Sequence, residues 1–272
     1  TVSHGTQTLL SKGLCLANTG QVVGTCGTLD VTSGPTALSV VATALTPIEV
    51  YFARTYVETT LGRTYGDPVA VRTWTPTPPA GQTVATAPAS GAGTQADPYQ
   101  IATLAELKWI SEADNSFEGL YFVQSADIDA SETAQWNAVG DHTYGYIPLG
   151  RREKPFRGHY DGADHKITNL TINALADDAA FIGAMQGASL KALRIVDANV
   201  SATSSGFEHA IAVGWAHTSS VTSVSTSGTL NSTNAENGGG VVGHLWSTTG
   251  HSLSSSATIT CVLNNNGCGG VL

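Results

Sequence analysis

Charge is what this chain of 272 residues has least of. Asp, Glu, Lys and Arg together make up 12% of it, about half the usual share of a soluble domain. Basic residues are the scarcest: residues 201–272 hold two acids and no Lys or Arg, and residues 91–200 hold fifteen acids against eight bases. With no basic stripe to neutralise phosphates, nucleic acid is not expected as a partner, and no polybasic patch suits anionic lipid. The 41% of hydrophobic residues still supplies a core, so scarcity of charge does not mean disorder here. There is one Met, and helical periodicity is confined to about residues 103–113, which rules out a helical bundle. The longest apolar run, around Ala37 to Leu45, is too short to cross a bilayer, so no transmembrane segment is expected. No charged-then-apolar leader opens the chain and residue 1 is Thr, so it reads as a processed mature chain or an excised piece.

What fills the gap is Ser, Thr, Gly, Asn and Ala, in a pattern of short strands. Over residues 1–78, Leu14 and Leu16 alternate around Cys15. Ile48, Val50, Phe52, Tyr56 and Val57 make a strongly β-prone stretch, and Val69, Val71 and Trp74 close the set. Turn chemistry at Gly62, Gly66, Asp67 and Pro68 separates them, which predicts a β-sandwich-like domain. Residues 79–96 are rich in Pro, Ala, Gly and Thr and read as a linker, extended at its Pro-rich start and flexible after it. The remaining domain spans 97–272 and opens with a helix. Thr103 and Glu106 form a capping-box pattern, and Leu104, Leu107 and Ile110 space one apolar face. Such a helix can cover the open end of a solenoid.

The second domain repeats itself. AFIGAMQGASLKALRIVDANVSA is followed by AIAVGWAHTSSVTSVSTSGTLNS and then by GGVVGHLWSTTGHSLSSSATITC, with Gly183, Gly214 and Gly243 at equivalent points. Each unit alternates with period two, so the expected architecture is a parallel β-helix, or β-solenoid, whose stacked units bury one continuous core. The fold class is therefore all-β with one short capping helix. Ser and Thr fill 24 of the 60 positions from 201 to 260, which suits a solvated β face better than a catalytic cleft.

Several residues could carry chemistry. Cys15 with Cys26 and Cys261 with Cys268 form two close pairs. Three connectivities are possible, and local pairing in an oxidising compartment is the expectation. Asp127 and Asp129 alternate on one face of a strand, and Asp161 and Asp164 share a Gly-containing turn. Their oxygens could bind Ca²⁺ or act as glycosidase acid and base, although turn capping by backbone N–H groups accounts for them more simply. No other cofactor is expected. His159 and His165 flank Asp161 closely enough for a metal, with solvated loop residues as the default. HExxH and GxSxG are both absent. Asn169, Asn199 and Asn231 each open an N-x-[S/T] sequon.

GTQADPYQIATLAELKWISE, YFVQSADIDASETAQWN, IPLG, FRGHYDGADHKITNLTIN and the FIGAMQG…LKALRIVDANVSA units resemble, over roughly residues 93–272, the GLUG-repeat family. These are β-helix segments of large bacterial and archaeal surface proteins that include filamentous-haemagglutinin-like adhesins. The chain departs from that pattern where Ile182–Gly183 replaces an aromatic-Gly step, and where Ala210 to Gly214 lacks the double Gly of Gly239–Gly240. The resemblance implies a secreted, extracellular or cell-surface protein that is not an enzyme and works in adhesion or in building an extracellular structure. Its partners would be surface glycans or proteins, or other copies of itself. A filament subunit joined head to tail or by strand addition is the alternative, favoured by an ending, NNNGCGGVL, that reads as finished. A polysaccharide-active enzyme ranks last, with Trp215 and Trp246 as core or sugar-stacking residues.

Overall fold

The computed structural model describes residues 9–17, 25–29, 50–66, 69–72, 81–113, 116–139, 142–174, 178–203, 208–262 and 267–270. The chain divides into two units, Thr1–Pro76 and Thr77–Leu272. In the first, β1 (Leu9–Ala17), β2 (Thr25–Leu29), β3 (Val50–Thr59), β4 (Gly62–Tyr65) and β5 (Val69–Arg72) form one antiparallel sheet. Tyr56 is buried at its centre, and Arg63 closes over the Tyr56 ring while pairing with Glu58 at 2.7 Å. The described residues of this unit form this single sheet, and the apolar run around Ala37 to Leu45 lies outside them.

The second unit is the parallel β-solenoid. Its N-terminal end carries β6 (Tyr99–Ile101) and α1 (Leu104–Glu112). Thr103 Oγ1 accepts the Glu106 N–H, and Glu106 Oε2 accepts the Thr103 N–H at 3.0 Å, so the capping box closes as its sequence dictates. Leu107 and Ile110 then turn into the core. Residues 81–96 do not behave as the flexible linker expected from their composition. Thr83 donates through both N and Oγ1 to Glu132 at 2.6 Å, and its carbonyl accepts Lys108 Nζ at 3.0 Å. Thr86 N–H reaches Ala105 O and the Gly93 carbonyl accepts Tyr121 N–H. A segment poor in side-chain bulk can lie flat on the solenoid, and its backbone groups are satisfied there.

β7 (Tyr121–Gln124) and β8 (Ile128–Asp129) come first. After a hairpin of β9 (Ala138–Val139) and β10 (His142–Thr143) the chain returns one level on, with β11 (His159–Asp161) stacked on β7, β12 (Lys166–Thr168) stacked on β8, and β13 (Thr171–Ala174) following. Two fuller turns follow. One holds β14 (Ile182–Gln186), β15 (Ser189–Ala202) and β16 (Glu208–Ala210); the next holds β17 (Val213–His217), β18 (Ser220–Thr233) and β19 (Asn237–Gly239). The last holds β20 (Val242–Trp246), β21 (Thr249–His251), β22 (Ser254–Ser255), β23 (Thr258–Val262) and β24 (Cys268–Gly269).

Register explains the repeat. Phe122, Tyr160, Leu190 and Val221 stack in one inward column, and Ile172, Val200, Leu230 and Ile259 in another. Between columns the chain turns on residues of positive φ. Ala192, Ser223 and Ser252 mark one corner, and Gly187, Thr218 and Ser247 mark another. Most of these corners carry Ala, Ser or Thr rather than Gly, so each holds a left-handed backbone at a cost of about 1–2 kcal/mol that the packing of the windings offsets. Glycine is required elsewhere. A Cβ on Gly214 would lie 2.6 Å from the Gly183 carbonyl and 2.9 Å from Asp178 Cβ, and Gly243 is equally crowded by Gly214 and Glu208. Gly183, Gly214 and Gly243 are thus one column whose missing side chains admit the chain beside them. No described helix is long and apolar enough to cross a membrane.

Candidate binding face

Outward residues also stack. Tyr121, His159, Ser189, Ser220 and Thr249 form one column, and Val123, Asp161, Lys191, Thr222 and His251 form the next. The members of these columns from Tyr121 to Ser220 and from Val123 to Thr222, together with Gln95 and Pro98, line a groove of about 680 Å³, within the range of small-ligand sites. At its floor the Tyr121 ring stacks on His159 with centroids 4.3 Å apart. His159 Nδ1 lies 2.9 Å from Ser189 Oγ, and burial lowers the imidazole below its ordinary pKa. Along the wall, Lys191 Nζ pairs with Asp161 Oδ2 at 2.9 Å. The groove offers a flat aromatic platform, a charged pair and a row of hydroxyls. Those groups suit binding of a polar, ring-containing ligand.

The four aspartates considered for calcium are held by the protein itself. Asp127 Oδ1 accepts Lys166 N–H and contacts His165 Nδ1, both at 3.1 Å. The backbone bond, then the His165 bond, holds its carboxyl below the usual range. Asp129 Oδ1 accepts Asn169 Nδ2–H and Ser131 N–H at 3.0 Å, and these bonds lower its pKa likewise. Asp161 Oδ1 accepts Ala163 N–H, and the Asp164 carbonyl accepts two Arg194 N–H groups. His159 and His165 turn to different partners, Ser189 and Asp127. Among the described residues no group of three or more His, Cys, Asp or Glu is placed to hold a metal. The carboxylates of Asp127, Asp129 and Asp161 close turns and bind successive windings together, while Asp164 is tied to the next winding through its backbone carbonyl.

Cys261 and Cys268 form a disulfide in the last winding. Cys15 is disulfide-bonded and stands opposite Cys26 in the β1–β2 register, while the Cys26 side chain lies outside the described residues. Asn169, Asn199 and Asn231 are all exposed. Asn169 sits at positive φ and is tied to Asp129, and Asn199 Oδ1 accepts Thr229 Oγ1–H at 3.1 Å. Asn231 stacks between Ser201 and Thr260 on the outside of the solenoid.

One cluster was not singled out from the sequence. Arg152, in the loop after Gly150, donates to both oxygens of Asp178 at 2.9 and 3.0 Å and pairs with Glu208. Glu208 Oε1 also receives Asn237 Nδ2–H and contacts His244 Nδ1. Asp178, Glu208 and Asn237 occupy successive windings beside the glycine column, at 30- and 29-residue spacing. That spacing matches the glycine repeat and was the available signal.

These features define a parallel β-solenoid with a groove along one outer face. No family model matches the chain. It is 30% identical over 167 residues to halomucin of Haloquadratum walsbyi, an alignment covering 59% of this chain and 2% of that protein. The chain therefore spans a small fraction of the relative it matches. Among solved structures it is similar to a candidate immunoglobulin A1 protease from Bacteroides ovatus, at TM-score 0.40 and 18% identity, over 66% of this chain and 62% of the other.

Proposed function

We propose that this chain is part of an extracellular surface protein that acts without catalysis, its solenoid presenting the outer groove to saccharide chains. The observation that carries this reading is the Tyr121–His159 platform beside the Asp161–Lys191 pair, in a groove built from stacked outward columns. Similarity to halomucin, a mucin by its name, supports the extracellular setting, as does the Cys261–Cys268 disulfide, which persists in oxidising compartments. Adhesion through the groove is favoured over turnover because the Asp161 carboxylate in its wall is already engaged by Lys191 and the Ala163 N–H, and Asp127 and Asp129 are likewise held by backbone and side-chain donors.

The test is a glycan array probed with the purified chain beside its Tyr121→Ala variant, with light scattering on the same samples. Binding that weakens in the variant supports the reading. Binding by neither protein, with particles growing into regular fibres, would replace it by the filament alternative. Release of reducing sugar from a bound polysaccharide would replace it by the enzyme.

A further inference from the structure

A second face of the solenoid, around a corner from the groove, carries Trp215 and Trp246. It is the outward side of the parallel sheet β14–β17–β20. Ala184, Trp215 and His244 share one row there, and Gln186, His217 and Trp246 the next. The rings form an unbroken track. Trp215 and His217 centroids are 5.4 Å apart, His217 and Trp246 5.5 Å, and His244 and Trp246 6.5 Å with planes inclined by only 16°. Trp246 is 59% exposed, unusual for the largest apolar side chain.

The two histidines beside Trp246 are held in opposite tautomers. Arg157, which can only donate, bonds the Gln186 carbonyl oxygen. That fixes the Gln186 amide, whose NH₂ then donates to His217 Nδ1 at 3.0 Å. A neutral His217 therefore carries its proton on Nε2. His244 faces the other way: its Nδ1 meets the Glu208 carboxylate at 3.1 Å, and a carboxylate only accepts. A neutral His244 therefore has its proton on Nδ1 and a lone pair on Nε2. Glu208 is in turn held by Arg152, whose guanidinium lies 5.5 Å from the Trp215 ring centre. One flank of Trp246 thus presents a donor and the other an acceptor.

We infer that this face is a second saccharide site, in which Trp246 stacks on the C–H face of a neutral pyranose while His217 Nε2–H and His244 Nε2 bind hydroxyls on its two edges. A hydroxyl both donates and accepts, so a sugar ring satisfies both imidazoles at once, which an apolar partner cannot do. Both nearby arginines are hydrogen-bonded within the protein, Arg157 to Gln186 and Arg152 to Asp178 and Glu208, so the polar groups this face turns to a sugar are the two imidazoles. The site is independent of the groove at Tyr121 and stands or falls without it.

Titration with a panel of neutral glucose, galactose and mannose oligosaccharides, followed by tryptophan emission and calorimetry, tests the assignment. At least one sugar should bind with a change in emission. Trp246→Ala should weaken it about tenfold or more, while Tyr121→Ala leaves that emission change intact. His217→Phe and His244→Phe keep a ring in place but remove a polar edge, and each should cost about three- to tenfold in affinity. Gln186→Leu should imitate His217→Phe, because it releases the tautomer without touching the sugar. The inference is overturned if no sugar of the panel binds at millimolar concentration, or if binding survives Trp246→Ala unchanged. It is also overturned if that variant only abolishes self-association seen by light scattering, since the face would then belong to a second copy of the chain.

Discussion

Asp178 and Glu208 stand one above the other, thirty residues apart, and Asp178 Oδ1 accepts the Glu208 backbone N–H at 2.7 Å. Both side chains are essentially inaccessible to water, and Arg152, itself partly exposed, bridges the pair from the rim and offsets part of their charge. Two stacked buried carboxylates repel each other strongly unless a cation lies between them. Arg152→Met should therefore lower stability by about 3 kcal/mol, read as a shift in the urea midpoint. Adding Asp178→Asn and Glu208→Gln to that variant should recover much of the loss. A single Arg152 substitution that leaves the midpoint unchanged would show that the arginine is not what holds the carboxylates.

The glycine column predicts a steric effect. Gly214→Ala places a methyl 2.6 Å from the Gly183 carbonyl, a backbone atom that cannot rotate away. The variant should be destabilised by roughly 2–3 kcal/mol or fail to fold. Gly187→Ala, one winding earlier, is the control: its Cβ would meet nothing within 4 Å, and its φ of 61° is in the left-handed region that Ala192 already occupies. Its expected cost, about 1 kcal/mol, comes from the left-handed backbone alone.

Stability should fall between neutral and mildly acidic pH because of His209. Burial pushes its imidazole down to about 4, where it contacts Ser232 Oγ at 2.8 Å. The unfolded chain takes up a proton near pH 6.5 and the folded chain does not until about pH 4, so the folded state loses up to ~3 kcal/mol across that window and no more below it. Asp127 and Asp129 act lower and in the same direction. Their folded pKa values are depressed, so what they contribute is present above the ordinary aspartate pKa and lost as pH falls through the depressed values. Denaturant midpoints measured every half pH unit, with His209→Asn alongside, check this: the variant should lose the upper slope and keep the lower one.

Closing a loop of sequence separation 7, the Cys261–Cys268 disulfide should contribute about 2 kcal/mol to the last winding. Reduction should raise amide exchange in β23 and β24 well before it affects β15. Uniform loosening of the whole solenoid would contradict the neighbour-only coupling of stacked windings.

Local rules made much of this fold legible. Thr103 and Glu106 announced the helix start because a capping box is a contact between near neighbours in sequence, and Gly183, Gly214 and Gly243 announced the windings because they recur in phase. The composition of residues 81–96 misled for a physical reason. Ala, Gly and Thr say how freely a free segment moves, but not that Glu132 and Ala105 wait to receive its N–H groups. The Asp127, Asp129 and Asp161 carboxylates looked available in sequence because their partners, Lys166, Asn169 and Lys191, come from other strands. Arg152, Asp178 and Glu208 escaped notice because nothing local marks a charge as buried. Only the shared 30-residue spacing of the two acids could have shown them, and the arginine that joins them comes from outside the repeat.

The corners of the solenoid have a consequence for how such a chain can change length. Ala192, Ser223 and Ser252 hold the same left-handed conformation one winding apart, so the path returns to its own starting direction after each circuit. A copied or deleted segment of one full circuit, beginning and ending at the same corner, would leave every remaining strand facing an equivalent neighbour. Any other length would aim apolar columns at water. Growth by whole-circuit duplication is therefore the mutational step this architecture absorbs most readily, and a gene encoding it can lengthen without relearning how to fold.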